Sequence, residues 1–138
     1  MRTRACSTGI LLLVILFGIF VAEADGLNRV YIHPSGSDQN DCSSLELQCR
    51  SINKALNALT EAGIIEVGGG IYSGVSNVAQ TVIAAHAITI QGSYFTPSVF
   101  LGNGSSHCLE VTGSESVVLD RLTYMNCLRT YWPLIGHC

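Results

Sequence analysis

The apolar positions of this chain pass through three regimes. Ile10 to Val21 is one apolar run broken only by Gly18. Further on, Ile52, Leu56 and Leu59 fall at i, i+4 and i+7, which is one face of a helix. Ala55, Ala58 and Ala62 thicken that face, while Asn53, Lys54, Asn57 and Glu61 point away. Ser51 can cap the helix by accepting a hydrogen bond from a free N–H of the first turn. Gly63 can end it, because glycine takes positive φ readily. The pattern predicts a helix over about 51–62. Ahead of it, Val30-Tyr31-Ile32 predicts a short strand, and His33 to Asp41 is rich in turn formers.

After Gly63 the period becomes two. Three segments, GIIEVGGGIYSG, AITIQGSYF and SVVLDRLTYMNC, share one plan. Each opens with β-branched or aliphatic alternation (Ile65/Val67, Ile88/Ile90, Val117/Leu119). Each then breaks at a short polar or Gly stretch and closes on an aromatic: Tyr72, then Tyr94 or Phe95, then Tyr124. Weaker strand patterns lie at Thr81–Ile83, Ser98–Leu101 and Cys108–Val111. Short strands with no helices between them predict an all-β chain. Self-similarity at twenty-odd residues predicts a stacked solenoid of about three coils. The step from Ile88 to Val117 is longer than that from Ile65 to Ile88, which places an inserted loop around Gly102 to Ser106. A β-sandwich is the structural alternative. It would need hairpin turns, and only Asn103-Gly104 offers one.

The N-terminal run changes the reading of composition. Arg2 and Arg4, the run itself, and Ala22-Glu23-Ala24 form the three parts of a secretory signal peptide, cleaved after Ala24. The run is shorter than the about 20 residues a membrane span needs, so a membrane contact is expected only if the segment stays uncleaved. Cleavage leaves 114 residues with five Lys+Arg against nine Asp+Glu. The remaining length suits one domain, here residues 25–127 followed by an atypical tail, 128–138. Five scattered cations form no basic patch, which excludes nucleic acid. Cys6 leaves with the signal; Cys42, Cys49, Cys108, Cys127 and Cys138 remain, and exported cysteines usually pair. Five is odd, so at least one is free or pairs with another chain. Asn103-Gly104-Ser105 is a glycosylation sequon that only a eukaryotic cell would use.

The order VYIHPSGSDQNDC, QCRSINKALNAL, GIIEVGGGIYSG, ITIQGS, VVLDRLTYMNC resembles the N-terminal part of secreted right-handed parallel β-helix proteins of the pectin-lyase-like fold. The likeness covers about residues 29–127. Ser35-Gly36-Ser37-Asp38 matches the family's first loop, and Ile52 to Leu59 its amphipathic cap helix. Ile65 to Gly74, Ile88 to Gly92 and Val118 to Tyr124 match successive coils, with Asp120-Arg121 standing where a Gly is commoner. The resemblance implies a Cys pair beside the first loop, which matches Cys42 and Cys49. It also implies a solenoid capped at its N-terminal end. Cys127 lies about one coil beyond Cys108, and stacked positions of adjacent coils are close enough to bridge. Such solenoids run for many coils, whereas here the pattern stops after three and LRTYWPLIGHC follows. The expectation is a truncated or alternatively spliced product, or one whose Trp132, Leu134 and Ile135 fold over the open end.

Catalytic chemistry finds little footing. Enzymes of the resembled fold carry carboxylates or an Arg on middle coils, the coils this chain lacks. Glycoside hydrolysis uses two carboxylates about 5–10 Å apart. Asp120 and Arg121 are the only weak candidates, with Glu66 a coil or more away on an outward face. The four histidines show no zinc-like spacing. His107 beside Cys108 suggests a thiol nucleophile, but Cys108 has a candidate disulfide partner. VGGGIYSG lacks the Lys and helix start of a phosphate loop, and no Gly-x-Ser-x-Gly occurs. No cofactor or metal is expected. The reading is a non-catalytic secreted or cell-surface segment that binds polysaccharide or a surface protein through its strand faces. The alternative is a polysaccharide lyase or hydrolase.

Overall fold

The structure, a computed structural model, describes residues 28–113 and 115–128. The expected signal segment and the tail beyond Leu128, including Cys138, lie outside the described residues.

Strands dominate the regular structure of the described residues, nine of them against one short helix. The strands are β1 (Asn28–Ile32), β2 (Gly63–Val67), β3 (Gly70–Ser73), β4 (Gln80–Ala84), β5 (Ile88–Gly92), β6 (Ser98–Leu101), β7 (Leu109–Gly113), β8 (Val117–Asp120) and β9 (Leu122–Met125). The helix, α1, spans Ile52–Ala58. The strands form three sheets: A, in the order β1-β2-β5-β8; B, β3-β6-β9; and C, β4-β7. Every pairing is parallel. The chain visits A, B and C in turn, twice completely and a third time as far as β9. A sandwich built from hairpins is therefore not the arrangement. Asn103-Gly104 turns a corner between β6 and β7, which belong to different sheets.

Parallel pairing in register sets like on like. Side chains alternate faces along a strand, so Val30, Ile65, Ile90 and Leu119 form one row across sheet A. Val30, Ile65 and Ile90 are buried, and Leu119 on the last strand is half-buried. In sheet B, Tyr72, Phe100 and Tyr124 stack with ring centroids 5.0 and 5.4 Å apart. The second member of this ladder is Phe100, not Tyr94 or Phe95. The turn from sheet A to sheet B explains why. In the first circuit it has two residues, Gly68 and Gly69; in the second it has five, Ser93 to Pro97. The three extra residues carry Tyr94 and Phe95 outward, and Phe100 takes the inward place. The same turn accounts for most of the longer second repeat. The Gly102 to Cys108 connection is only one residue longer than its counterpart, Gly74 to Ala79. The sequence places the insertion in the wrong corner.

One end of the stack is closed by α1 and the cysteine loop. The four leading N–H groups of the helix, which have no partner within it, are all satisfied. Ser51 donates to Asp38 Oδ1 (2.9 Å), Ile52 to Asn77 Oδ1 (2.9 Å), Asn53 to Ser76 O (3.1 Å) and Lys54 to Ser51 Oγ (3.2 Å), and Ala55 N–H to Ser51 O (3.2 Å) is the first bond of the helix itself. Ile52, Ala55 and Leu59 are buried, and Leu56 packs beside them. The helix is shorter than the pattern predicts. Leu59 is already extended (φ −85°, ψ 92°), Ala62 is exposed, and Gly63 opens β2 instead of capping the helix. The reason for a glycine there is a close approach: a Cβ would lie 2.1 Å from Asn28 O.

Cys42 and Cys49 are joined, with Cα atoms 4.9 Å apart, and both are fully buried. Their loop is laced to the free edge of β1 by Tyr31 N–H to Cys42 O (2.8 Å), Cys49 N–H to Tyr31 O (3.0 Å) and His33 N–H to Cys49 O (2.9 Å). It thus covers an edge that would otherwise present unpaired backbone groups. Asp38 anchors the far side, accepting from the Arg50 and Ser51 N–H groups at 2.9 Å each. Burial pulls the Asp38 pKa up, but the hydrogen bonds from Ser51 and Arg50 outweigh it and hold the carboxyl below its ordinary value.

Candidate functional site on the outer strand faces

The core rows leave their neighbours pointing outward. On sheet A one outward row is Tyr31, Glu66, Gln91 and Asp120. Adjacent strands lie about 4.8 Å apart, so the backbones carrying Glu66 and Asp120 are about 10 Å apart. The two acids do not meet. Glu66 is ion-paired with Arg29, and Asp120 with its neighbour Arg121.

Arg121 occupies a corner at φ +51°, the left-handed conformation that explains why glycine suits this position. Its Nε donates to Gly92 O (3.0 Å), and its guanidinium lies 3.6 Å from the centre of the Tyr94 ring. These contacts fasten the third circuit to the bulged Ser93–Pro97 turn below. Nothing in them offers the pair to a substrate, and a partly exposed ion pair of this kind is worth under about 1 kcal/mol.

Beside the polar row lies a groove of about 190 Å³ between the cysteine loop and sheet A, lined by Tyr31, Leu45, Gln48, Glu66 and Ser93. A second cavity of about 210 Å³ sits under α1, lined by Leu56, Leu59, Val82, Ile83, His86 and Ile88. The outer face of sheet B is different in kind. Ile71, Leu101 and Met125 stand on it, with Ile71 62% exposed and Met125 52%. The Ser93–Pro97 turn leads directly into this sheet and carries Phe95, 97% exposed.

Cys108 and Cys127 are joined, with Cα atoms 5.4 Å apart, so the Cys108 sulfur is committed and His107 has no thiol to activate. Asn103 is exposed, its Oδ1 accepting from Ser105 N–H at 2.9 Å. Among the described residues, no three His, Cys, Asp or Glu side chains converge as metal ligands would. No helix among them is long and apolar enough to cross a membrane.

Two buried polar side chains, Asn77 and Ser98, carry no signal in the sequence. Asn77 joins α1 to the first circuit, its Nδ2 also donating to Ser73 O (3.2 Å). Ser98 donates to Val67 O (3.0 Å) and accepts from Ser93 N–H (3.2 Å), tying sheet A to sheet B. Neither sits in a pattern that sets it apart from an ordinary loop or strand residue. No protein-family model, curated protein or solved structure matches the chain.

Proposed function

We propose that the three circuits are coils of a secreted, right-handed parallel β-helix of the pectin-lyase-like kind, and that it acts by binding a protein at the cell surface. Uniformly parallel pairing supports the solenoid, because parallel crossovers are right-handed with few exceptions. The two cysteine pairs support an oxidising compartment. The observation that carries the function is the outer face of sheet B, where Ile71, Val99, Leu101 and Met125 outnumber Ser73 and Thr123, together with the exposed Phe95 in the turn that leads into that sheet. Contiguous exposed apolar surface of this sort is characteristic of protein contact sites, and a protruding aromatic is a typical anchor.

A second reading has its own support. The Tyr31, Gln48 and Glu66 groove and the polar row running on through Gln91 suit a hydroxyl-rich chain such as a polysaccharide. The test is binding of the mature protein to detergent-solubilised surface proteins and to a panel of insoluble polysaccharides. The protein reading expects Phe95→Ser with Met125→Ser to abolish capture of a discrete surface protein. Capture unaffected by these changes refutes it. Polysaccharide retention lost on Tyr31→Ala with Gln91→Ala would establish the second reading instead. Turnover of polygalacturonate or alginate that vanishes in Asp120→Ala with Arg121→Ala would overturn both in favour of an enzyme.

A further inference from the structure

We propose that Asn103 is a latent site of spontaneous deamidation, held shut by the corner of the third circuit and released when the Cys108–Cys127 bond is broken. Asn103-Gly104 is the only Asn-Gly pair in the sequence. Asparagine followed by glycine is the pair most open to this chemistry, because no Cβ shields the following nitrogen. Gly104 N, on losing its proton, attacks Asn103 Cγ. The new C–N bond closes a five-membered imide, the Cγ–Nδ2 bond breaks, and ammonia leaves with the proton. Water then adds to either imide carbonyl and opens the ring to aspartate or isoaspartate. Water is the only co-reactant, and no oxidant or reductant is needed.

The fold occupies the attacking nitrogen. Gly104 N–H donates to Asn126 O at 2.7 Å, and Asn126 Nδ2 returns a bond to Gly102 O at 3.1 Å. Gly102 N–H to Met125 O (2.8 Å) and Leu128 N–H to Ser106 O (2.9 Å) lace the two corners together on either side. The Cys108–Cys127 bond closes the same corner covalently. For Gly104 N to reach Cγ, its hydrogen bond must break and the 126–128 segment must lift. The Asn103 side chain is meanwhile exposed to water, with Oδ1 engaged by Ser105 N–H. The coupling runs both ways. An isoaspartate adds a carbon to the backbone and moves Gly104 N out of register with Asn126 O, which loosens the third circuit. The site therefore records how often that circuit has opened, and reduction starts the record.

The test follows conversion at Asn103 by peptide mapping after incubation at mildly alkaline pH, with isoaspartate detected enzymatically. The protein is the mature chain made in bacteria, free of glycan. Three samples are compared: the native oxidised protein, the same protein reduced and alkylated in denaturant, and a Cys108→Ser, Cys127→Ser variant shown by circular dichroism to retain its strand content. The denatured chain is expected to convert about fivefold faster than the native one, the factor that one hydrogen bond of ordinary net strength contributes. The double variant is expected to approach the denatured rate. If it does not fold, reduction of the native protein without denaturant provides the same comparison. Equal rates in native and denatured protein, or a folded double variant or reduced protein as slow as the native one, overturn the proposal.

Discussion

Replacing Phe100 with Ala removes the middle ring of the aromatic ladder in sheet B. Phe100 is 2% exposed and stacks on Tyr72 and Tyr124 at 5.0 and 5.4 Å, with planes inclined by 20° and 23°. A buried Phe→Ala change costs about 3–5 kcal/mol, and each stacked pair contributes about 0.5–1.5 kcal/mol beyond area. With two pairs lost, the cost is set at about 4 kcal/mol. That is a large share of the about 5–15 kcal/mol by which a domain is stable. It moves the urea midpoint down by about 2 M at an unchanged slope. Phe95→Ala is the control, since Phe95 is 97% exposed and should stay within about 0.5 kcal/mol of wild type. Double-mutant cycles should show couplings of about 1 kcal/mol for Phe100 with Tyr72 and with Tyr124. The reasoning fails if Phe100→Ala costs under about 1 kcal/mol, or if Phe95→Ala costs as much.

Three further outcomes follow from the same contacts. Opening the Cys108–Cys127 bond should cost about 3 kcal/mol by loop entropy, against about 2.4 for Cys42–Cys49, because its loop is longer (separation 19 against 7); Cys→Ala pairs in urea melts check the order, and a reversed order refutes it. Asn77→Ala should cost about 1–3 kcal/mol by leaving the buried Ile52 N–H without a partner, and should raise amide exchange in α1 before the rest of the chain; uniform exchange would contradict this. Burial pushes the Tyr124 hydroxyl up to about 12 and the Tyr72 hydroxyl higher still. The folded pKa values are raised, so this stability is complete below pH about 10, the ordinary tyrosine value, and is lost as pH climbs through the folded values. Ultraviolet titration of the native protein should show two tyrosines resisting ionisation at pH 11, and all of them ionising together near 10 would refute the placement.

Much of the fold was legible because burial leaves a period. Ile65/Val67 and Ile88/Ile90 alternate cleanly and became β2 and β5, and Ile52 and Leu56 became part of the packed face of α1, with Leu59 buried just past its end. What failed was register across turns. Tyr94 and Phe95 carry the same aromatic signal as Phe100, and only the length of the Ser93–Pro97 turn decides which ring points inward. The end of α1 was misplaced because Gly63 is compatible with a helix stop and with a strand start. Contact with Asn28, 35 positions earlier, settles it. The candidate pair Asp120-Arg121 was visible as charge, but its fastening to Tyr94 and Gly92 depends on stacking between circuits. Asn77 left no trace, since its value lies in meeting the Ile52 N–H, 25 residues away.

Strands stack in parallel from one circuit to the next. Nuclear Overhauser contacts in the protein test this directly. The prediction is methyl contacts linking Ile65 to Ile90 and Ile90 to Leu119, with the amide-to-Hα pattern of parallel pairs between β2, β5 and β8. Close Hα–Hα contacts between β2 and β3, or between β8 and β9, would mark antiparallel hairpins and contradict it.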